Sequence, residues 1–234
     1  MPGLIAAWAN TRVIFCNAIF LSRPVTDLAD LEERAAALAA YLKPKENGPL
    51  FVACKEWIPE ALRDNANVLF AEAGLSAAIR ITGMAAGELP PPRHLVTGVE
   101  YERVSNEATR TQLADINAAA YGIPTEDMRE ALAAPQIWTD EYAGYVVKLE
   151  GRAVAAAAAM EMNGSLYVTC VATLPECRRR GYAEAAMRCA LNSAGNAGAP
   201  MRTTLHATES GRPVYLGMGY HDTSTFIGYT RPAA

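Results

Sequence analysis

The segment from Leu166 to Leu205 limits the fold of this chain more than any other part of the sequence. An apolar run, Leu166 to Ala172, precedes a basic turn, and residues Tyr182–Ala194 after the turn place apolar side chains on one stripe. The run predicts a buried strand, and the stripe predicts an amphipathic helix. A second strand is predicted at Arg202 to Leu205. A strand, a helix and a strand in this order predict a parallel crossover, and therefore an α/β fold.

The turn inside this crossover has a composition that suits an anion. Arg178, Arg179 and Arg180 precede Gly181, and the helix begins near Tyr182. The first backbone N–H groups of a helix lack intrahelical acceptors and lie at the positive end of its dipole. A glycine has no side chain that would keep a ligand away from the backbone. The sequence therefore predicts a phosphate site at this turn.

The overall charge favours one local anion site over a nucleic-acid surface. The chain has 234 residues, of which 51% are hydrophobic and 20% charged, and its formal net charge is −4. These values predict a folded globular protein and exclude a generally basic nucleic-acid binder. The first ten residues have no leader pattern, and the longest apolar run, Ala153–Met160, is too short to cross a bilayer. We therefore expect a cytoplasmic protein without membrane contact.

The cysteine pattern predicts free thiols. The chain has five cysteines, and they are Cys16, Cys54, Cys170, Cys177 and Cys189. An odd number without C-x-x-C spacing favours incidental thiols in a reducing compartment and predicts no metal site. A nucleophilic Cys177 is the alternative, because the neighbouring arginines would lower the pKa of its thiol.

A proline-rich segment divides the remaining sequence. Glu88–Arg93 contains three consecutive prolines, which cannot continue a helix, so we predict domains at 1–92 and 93–234. In the first domain, we predict strands at 11–21, 50–54 and 77–81 and helices at 28–42, capped by Asp27, and 59–73. In the second, we predict strands at 94–104, 145–149, 153–160, 165–172 and 202–205 and a strand or hairpin at 220–229. We predict helices at 107–121, capped by Asn106, at 125–134, at 182–194 and from 210 or 211 to 216. Turns at Glu150-Gly151 and Asn163-Gly164 predict an antiparallel meander.

This order of elements, together with Arg178-x-x-Gly181-x-Ala183, resembles the GCN5-related N-acetyltransferase (GNAT) superfamily. The pyrophosphate loop of that family reads Gln/Arg-x-x-Gly-x-Gly/Ala after a strand and a proline, here Pro175. A second signature of the family places a tyrosine on a short helix, four residues before a glycine and an aromatic residue. Here Tyr215 precedes Gly219 in that way. The resemblance covers about residues 95–230 and implies a central mixed β-sheet flanked by helices, with a smaller α/β region before it.

The resemblance implies an acetyl-CoA-dependent N-acetyltransferase that acts on a primary amine of a small molecule or peptide by direct attack. Two alternatives stay open, which are a non-catalytic acyl-CoA-binding module and a nucleotide-binding regulatory domain. The second alternative lacks its glycine-rich fingerprints. The sequence does not name the amine, and it allows a homodimer.

The resemblance also assigns roles to single residues. A bulge in the strand before the turn is a family feature, and the acyl compound binds where that strand and the next separate. The expected contacts to coenzyme A are main-chain groups of Val171 and Thr173 and the loop residues Arg178, Arg179, Arg180, Gly181, Tyr182, Ala183 and Glu184. Tyr215 is the expected general acid, with a buried core tyrosine as the alternative. No single base is implied, because many members of the family use a water chain. His206 is a candidate, with a strand-end histidine as the alternative, and Glu161 is the other residue considered, with a solvated turn residue as its alternative.

Two further expectations concern the acceptor and the first domain. The loop Tyr121–Pro124 and the residues near Trp138 are expected to form the acceptor site or part of the core. In the first domain, Phe70 to Gly74 repeats the spacing of Tyr215 to Gly219, and Ser22–Thr26 stands where a phosphate loop would be. A degenerate half-repeat, unable to perform the chemistry, is one explanation, and an unrelated α/β cap is the other.

Overall fold

The computed structural model describes residues 1–92, 95–195 and 202–232. The chain divides into two compact units. The first contains Met1–Gly83 and the C-terminal segment from Thr223 onward, and the second is Met84–Asp222. The predicted boundary between residues 92 and 93 stays a prediction, since Arg93 and His94 lie outside the described residues. Residues 196–198, which are expected to follow the end of the predicted helix 182–194, lie outside them as well.

Ten strands and six α-helices are described. They are β1 (Leu4–Trp8), β2 (Asn17–Leu21), α1 (Leu28–Leu42), β3 (Leu50–Cys54), α2 (Arg63–Glu72), β4 (Ser76–Ala86), β5 (Val99–Arg103), α3 (Glu107–Tyr121), α4 (Thr125–Leu132), β6 (Tyr142–Leu149), β7 (Arg152–Met162), β8 (Ser165–Thr173), α5 (Tyr182–Ala194), β9 (Thr203–Ala207), α6 (Arg212–Gly217) and β10 (His221–Thr230). The mixed α/β fold predicted from the sequence is confirmed. No helix among these described residues is long and apolar enough to span a membrane.

The first unit is built on a parallel crossover. Strand β1 pairs antiparallel with β2, β2 pairs parallel with β3, and the end of β10 pairs antiparallel with β3. Helix α1 connects β2 to β3 and buries Leu31 and Leu38 completely against this sheet. The predicted N-cap is confirmed, because the Asp27 carboxylate accepts a hydrogen bond from the Asp30 N–H at 2.9 Å.

The predicted strand at residues 11–21 is wrong in its first half. Only Asn17–Leu21 is extended, and Ile14–Cys16 form a 3-10 turn. The side chain of Asn17 explains the difference, because its amide donates to the Thr11 carbonyl at 2.6 Å and its oxygen accepts from the Thr11 N–H at 3.3 Å. A side chain that satisfies the backbone locally competes with strand pairing. Strand β1 was not predicted, and α2 begins four residues after its predicted start.

The loop before α1 binds an internal carboxylate. Asp30 accepts hydrogen bonds from the Thr26 N–H at 3.0 Å and from Arg34 Nε at 2.9 Å. Arg34 is 1% exposed and also donates to the carbonyls of Arg23 and Pro24. The anion in the first-unit crossover is therefore supplied by the chain itself.

The ends of α2 and α6 have the same hydrogen bonds. The Leu75 N–H donates to the Phe70 carbonyl at 2.9 Å, and the Tyr220 N–H donates to the Tyr215 carbonyl at 3.0 Å. The glycine that follows each helix has a positive φ, 80° at Gly74 and 100° at Gly219. Both ends are glycine C-caps of the Schellman type. These features favour the half-repeat explanation, which stays a prediction because such caps are common.

The second unit contains the predicted meander and crossover. The meander consists of β5, β6, β7 and β8, each paired antiparallel with the next. Helix α5 then connects β8 to β9, which pairs parallel with β8. Helix α5 packs on one face of this sheet, where Met187 and Ala186 contact the core that includes Val168 and Leu205. Helix α3 packs on the other face, where its core includes Ala156 and Ala172 of the sheet. Helices therefore cover both faces, as the resemblance implied.

The local signals for α3 are confirmed. The Asn106 side chain accepts from the Thr109 N–H at 3.0 Å, and the Thr109 hydroxyl accepts from the Asn106 N–H at 3.2 Å. This capping box starts the helix, and Gly122, with φ 66°, ends it. The end of α3, which carries Tyr121, is fixed in this way beside the sheet.

Candidate active site

Strands β8 and β9 separate soon after they begin to pair. Their pairing covers Leu166–Val168 and Thr203–Leu205, although β8 continues to Thr173. On its other side, β8 has a bulge, because Ala158 opposes Thr169 while Ala156 opposes Ala172. Cys170 lies in this bulge with φ 52°. The bulge that the resemblance implied is therefore confirmed, and it lies where the two strands diverge.

The basic turn after β8 forms a concave array of backbone donors. Arg179 and Gly181 have φ values of 64° and 81°, and α5 begins at Tyr182. The first helical hydrogen bond is donated by the Ala185 N–H to the Gly181 carbonyl at 3.0 Å. Within the described part of the chain, the N–H groups of residues 179–184 donate to no acceptor. Such an array at a helix N-terminus fits a pyrophosphate group.

The arginine side chains contribute less to this array than its backbone. Arg178 is directed away from the array, and its Nη2 donates to the Ala120 carbonyl at 3.2 Å. It therefore braces the loop against the end of α3. Arg179 and Arg180 are exposed, and the Glu184 carboxylate accepts from Arg188 Nη2 at 2.8 Å.

The other predicted loop residues are packed into the unit. Tyr182 and Cys177 are buried in the core beneath α5, and Ala183 is half-buried. A buried Cys177 does not favour the nucleophilic alternative. A side chain at Gly181 would place its first carbon 3.2 Å from Cγ2 of Val96. The small residues of the motif therefore keep the backbone array open.

The predicted acid, Tyr215, lies on α6 after the end of β9. The helix is started by the Thr208 hydroxyl, which accepts from the Gly211 N–H at 3.2 Å, and by Pro213 in its first turn. Tyr215 is 8% exposed, and burial raises the pKa of its hydroxyl well above the usual range. The nearby hydroxyls of Tyr121 and Tyr167 raise this pKa further. Tyr215 is therefore protonated at neutral pH and belongs to a cluster of tyrosines.

Tyr121 occupies a main-chain group that the sequence analysis assigned to the acyl compound. Its hydroxyl donates to the Val171 carbonyl at 3.0 Å, and burial raises its pKa to about 12. A contact between pantetheine and Val171 would therefore use the N–H or the second lone pair of this carbonyl. The contacts expected from Val171 and Thr173 stay predictions.

The candidate base, His206, pairs with a residue that the sequence analysis missed. Its Nδ1 lies 3.1 Å from the hydroxyl of Tyr167, and the two rings meet edge to face at 5.7 Å. Desolvation lowers the pKa of His206, so its imidazole is neutral at pH 7. The alternation of side chains along β8 was the available signal for Tyr167, but it did not identify a partner on another strand.

Aromatic residues also line the expected acceptor region. Trp138 stacks on Tyr142 with ring centroids 4.7 Å apart, and its Nε1 donates to the Leu132 carbonyl at 2.7 Å. The Tyr142 hydroxyl contacts the Cys170 thiol at 3.4 Å. Beside this region, an open cavity of about 560 Å³ is lined by Pro124, Thr125, Glu126 and Arg129. The acceptor role of these residues stays a prediction.

Comparisons with known proteins agree with this architecture. The GCN5-related N-acetyltransferase from Kribbella flavida has a TM-score of 0.73 and 18% identity, covering 99% of this chain and 88% of that chain. The GCN5-related N-acetyltransferase from Sphaerobacter thermophilus has a TM-score of 0.57 and 15% identity, covering 93% and 74%. The GCN5-related N-acetyltransferase-like protein from Streptococcus suis has a TM-score of 0.53 and 13% identity, covering 91% and 78%. At these identities the likeness shows the fold.

A family model supplies the evidence from sequence. A search of curated proteins gives no match. Residues 110–220 match the model described as the acetyltransferase (GNAT) family, and this range includes the bulged strand, the basic turn and Tyr215. Members of this family generally use acetyl-CoA as co-substrate. Residues 110–220 therefore form an acetyltransferase domain of the GNAT family.

Proposed function

We propose that the chain transfers an acetyl group from acetyl-CoA to a primary amine of a small molecule or peptide by direct attack. The observation that carries this proposal is the position of the open N–H array and of Tyr215. The array follows β8 and Tyr215 follows β9, so both lie beyond the carboxyl ends of two adjacent parallel strands. Ligands of α/β proteins bind at such ends.

The residues of the basic turn would hold the pyrophosphate of acetyl-CoA. The N–H groups of residues 179–184 are available, and the dipole of the 13-residue helix α5 adds positive potential. Exposed Arg179 and Arg180 would lie near the adenosine phosphates. Acetyl-CoA supplies an acyl group already activated as a thioester.

Tyr215 would assist the departure of the thiol. The amine nitrogen forms a bond to the carbonyl carbon, the carbon–sulfur bond breaks, and its electron pair goes to sulfur. Tyr215 offers its hydroxyl proton to that sulfur, and the proton left on nitrogen restores the hydroxyl. Because burial raises the pKa of Tyr215, complete transfer is less favourable than for an exposed tyrosine. A hydrogen bond to the developing thiolate is therefore the larger part of its role.

A non-catalytic acyl-CoA-binding module is the second candidate. It would need the N-terminal array of α5 but neither Tyr215 nor a neutral base, and the presence of both groups favours the enzyme. The cytoplasmic location and the homodimer stay predictions.

Thiol release from acetyl-CoA tests the proposal. The purified chain is mixed with acetyl-CoA and a panel of arylethylamines, polyamines, amino acids and short peptides, and free thiol is measured against each amine. We expect amine-dependent release with at least one class, and mass spectrometry should show an added acetyl group on that amine. Binding of acetyl-CoA without release from any amine would favour the binding module.

Replacing Gly181 by alanine is expected to weaken acetyl-CoA binding about tenfold, a loss of about 1.4 kcal/mol. The alanine would strain a backbone with φ 81° and would lie against Val96. Isothermal titration of acetyl-CoA measures the effect. Gly164→Ala is the matched control, since Gly164 has φ 72° in a hairpin turn and a side chain there meets no neighbour within 4 Å. Equal affinity for both variants would contradict the assignment of the loop.

A further inference from the structure

Tyr167 and His206 lie together where β8 and β9 separate. Tyr167 pairs with Thr204 in the parallel ladder, and His206 comes directly after Leu205, the last paired residue of β9. The neighbouring residue Val168 and Leu205 are in the core beneath α5. Because side chains alternate along a strand, Tyr167 and His206 lie on the opposite face. They therefore stand beside the opening in which the acetyl-CoA thioester is proposed to lie.

The direction of the contact between the two side chains is set by the tautomer of the neutral imidazole. Tyr167 Oη lies 3.1 Å from His206 Nδ1. A neutral histidine with its proton on Nε2 accepts at Nδ1, so the hydroxyl of Tyr167 donates to it. The lone pairs of the Tyr167 oxygen then remain for a donor from another molecule, and an incoming amine is such a donor.

The hydroxyl of Tyr167 has a base as its partner, the imidazole of His206. The hydroxyl of Tyr121 donates to the Val171 carbonyl, and the hydroxyl of Tyr142 contacts the Cys170 thiol. Burial raises the pKa of that thiol, so it is protonated at neutral pH. Tyr215 comes from α6 and is assigned to the leaving sulfur. Proton removal is therefore best supplied by Tyr167 with His206.

We propose that Tyr167 is a catalytic residue that takes a proton from the acceptor ammonium and passes its own hydroxyl proton to Nδ1 of His206. The inference rests on the proposed acetyl transfer and adds the residue that prepares the nucleophile. The N–H bond of the ammonium breaks as Tyr167 Oη accepts its proton, and the O–H bond breaks as Nδ1 accepts the other. The products are a neutral amine, an unchanged tyrosine and an imidazolium, which returns its proton to solvent.

The surroundings keep both groups in the required state. Burial and the nearby Cys170 thiol raise the pKa of Tyr167 to about 12, so its hydroxyl keeps its proton at neutral pH. Desolvation lowers the pKa of His206, which favours the neutral imidazole near pH 7. Titratable groups close to Tyr167 include the hydroxyls of Tyr142 and Tyr215 and the thiol of Cys170. All of them are neutral near pH 7, so the acid limb of the rate profile should report His206.

Tyr167→Phe tests the relay with the amine identified in the thiol-release panel. We expect kcat to fall about 10²-fold, KM for acetyl-CoA to stay within about twofold, and the acid limb of the kcat–pH profile to disappear. His206→Ala should show a similar loss, and added imidazole should restore part of its turnover. Tyr101→Phe, on an exposed tyrosine of β5, is the control and should keep full activity.

The outcomes separate this inference from the proposed function. An active wild-type chain with an unchanged Tyr167→Phe rate and pH profile would overturn the relay alone. A uniform loss at every pH, with a lower melting temperature and no imidazole rescue of His206→Ala, would assign the pair a structural role and overturn it as well. A wild-type chain that binds acetyl-CoA but acetylates no amine of the panel would overturn both.

Discussion

Tyr215→Phe is expected to lower kcat by roughly 10²- to 10³-fold while the dissociation constant of acetyl-CoA changes by less than about twofold. The hydroxyl is buried beyond the end of β9, and the proposed transfer assigns it as the donor to the leaving sulfur. Its loss removes an interaction that strengthens as charge develops on sulfur, so the effect should fall on kcat. Single-turnover thiol release and equilibrium titration measure the two quantities separately.

The control for this prediction is Tyr229→Phe. Tyr229 is also buried, and its hydroxyl donates to the Asn67 side chain at 3.0 Å within the first unit. Both variants remove a buried tyrosine hydroxyl, so both can lose stability, but only Tyr215→Phe should lose turnover. A Tyr215→Phe chain with normal kcat would remove the donor role and favour the core-tyrosine alternative.

The sequence predicted best what depends on neighbours along the chain. The helix caps at Asp27 and Asn106, the turn at Gly181 and the crossover from β8 to β9 are set by residues within a few positions of one another, and their types were sufficient. The error at residues 11–21 has a local cause as well. The apolar run there satisfied the strand pattern, but the amide of Asn17 satisfies the backbone of Thr11 instead.

The chemistry of the site depends on contacts between distant residues, which the sequence could not give. Tyr167 meets His206 across 39 positions, and Tyr121 meets the Val171 carbonyl across 50 positions. The sequence does not distinguish a strand tyrosine that only lines a site from one that relays a proton. The resemblance supplied Tyr215 and the loop because both belong to short motifs, whereas the candidate base has no motif of its own.

The first unit explains why a similar crossover need not bind an acyl compound. In the second unit, the turn before α5 leaves its N–H groups open, whereas in the first the Asp30 carboxylate accepts from the Thr26 N–H and is held by Arg34. On α2, Phe70 stands at the spacing of Tyr215 and has no hydroxyl. In the first unit, the carboxylate of Asp30 takes the place that a ligand phosphate would have, so its contacts stabilise the fold and bind no ligand. Asp30 is therefore the residue to test.

Asp30→Ala is expected to lower the free energy of unfolding by about 3–5 kcal/mol, because it leaves the buried Arg34 guanidinium without its anion. The exposed fractions of the two side chains are 9% for Asp30 and 1% for Arg34. Urea denaturation followed by circular dichroism measures the change. Asp115→Ala is the matched control, since the pair of Asp115 with Arg129 is 38% and 49% exposed and its loss should change stability much less.

The pH dependence of the same variant provides an independent check. Hydrogen bonds from Arg34 hold the pKa of Asp30 well below its ordinary value of 3.8, and the Thr26 N–H and the charge of Arg23 lower it further. A carboxyl whose pKa is lower in the folded state adds stability above its unfolded pKa and loses it as the pH falls towards the folded value. The difference in stability between wild type and Asp30→Ala should therefore be constant near pH 7 and shrink below about pH 4. A difference that stays constant into acid would mean that the carboxylate charge is not what stabilises Arg34.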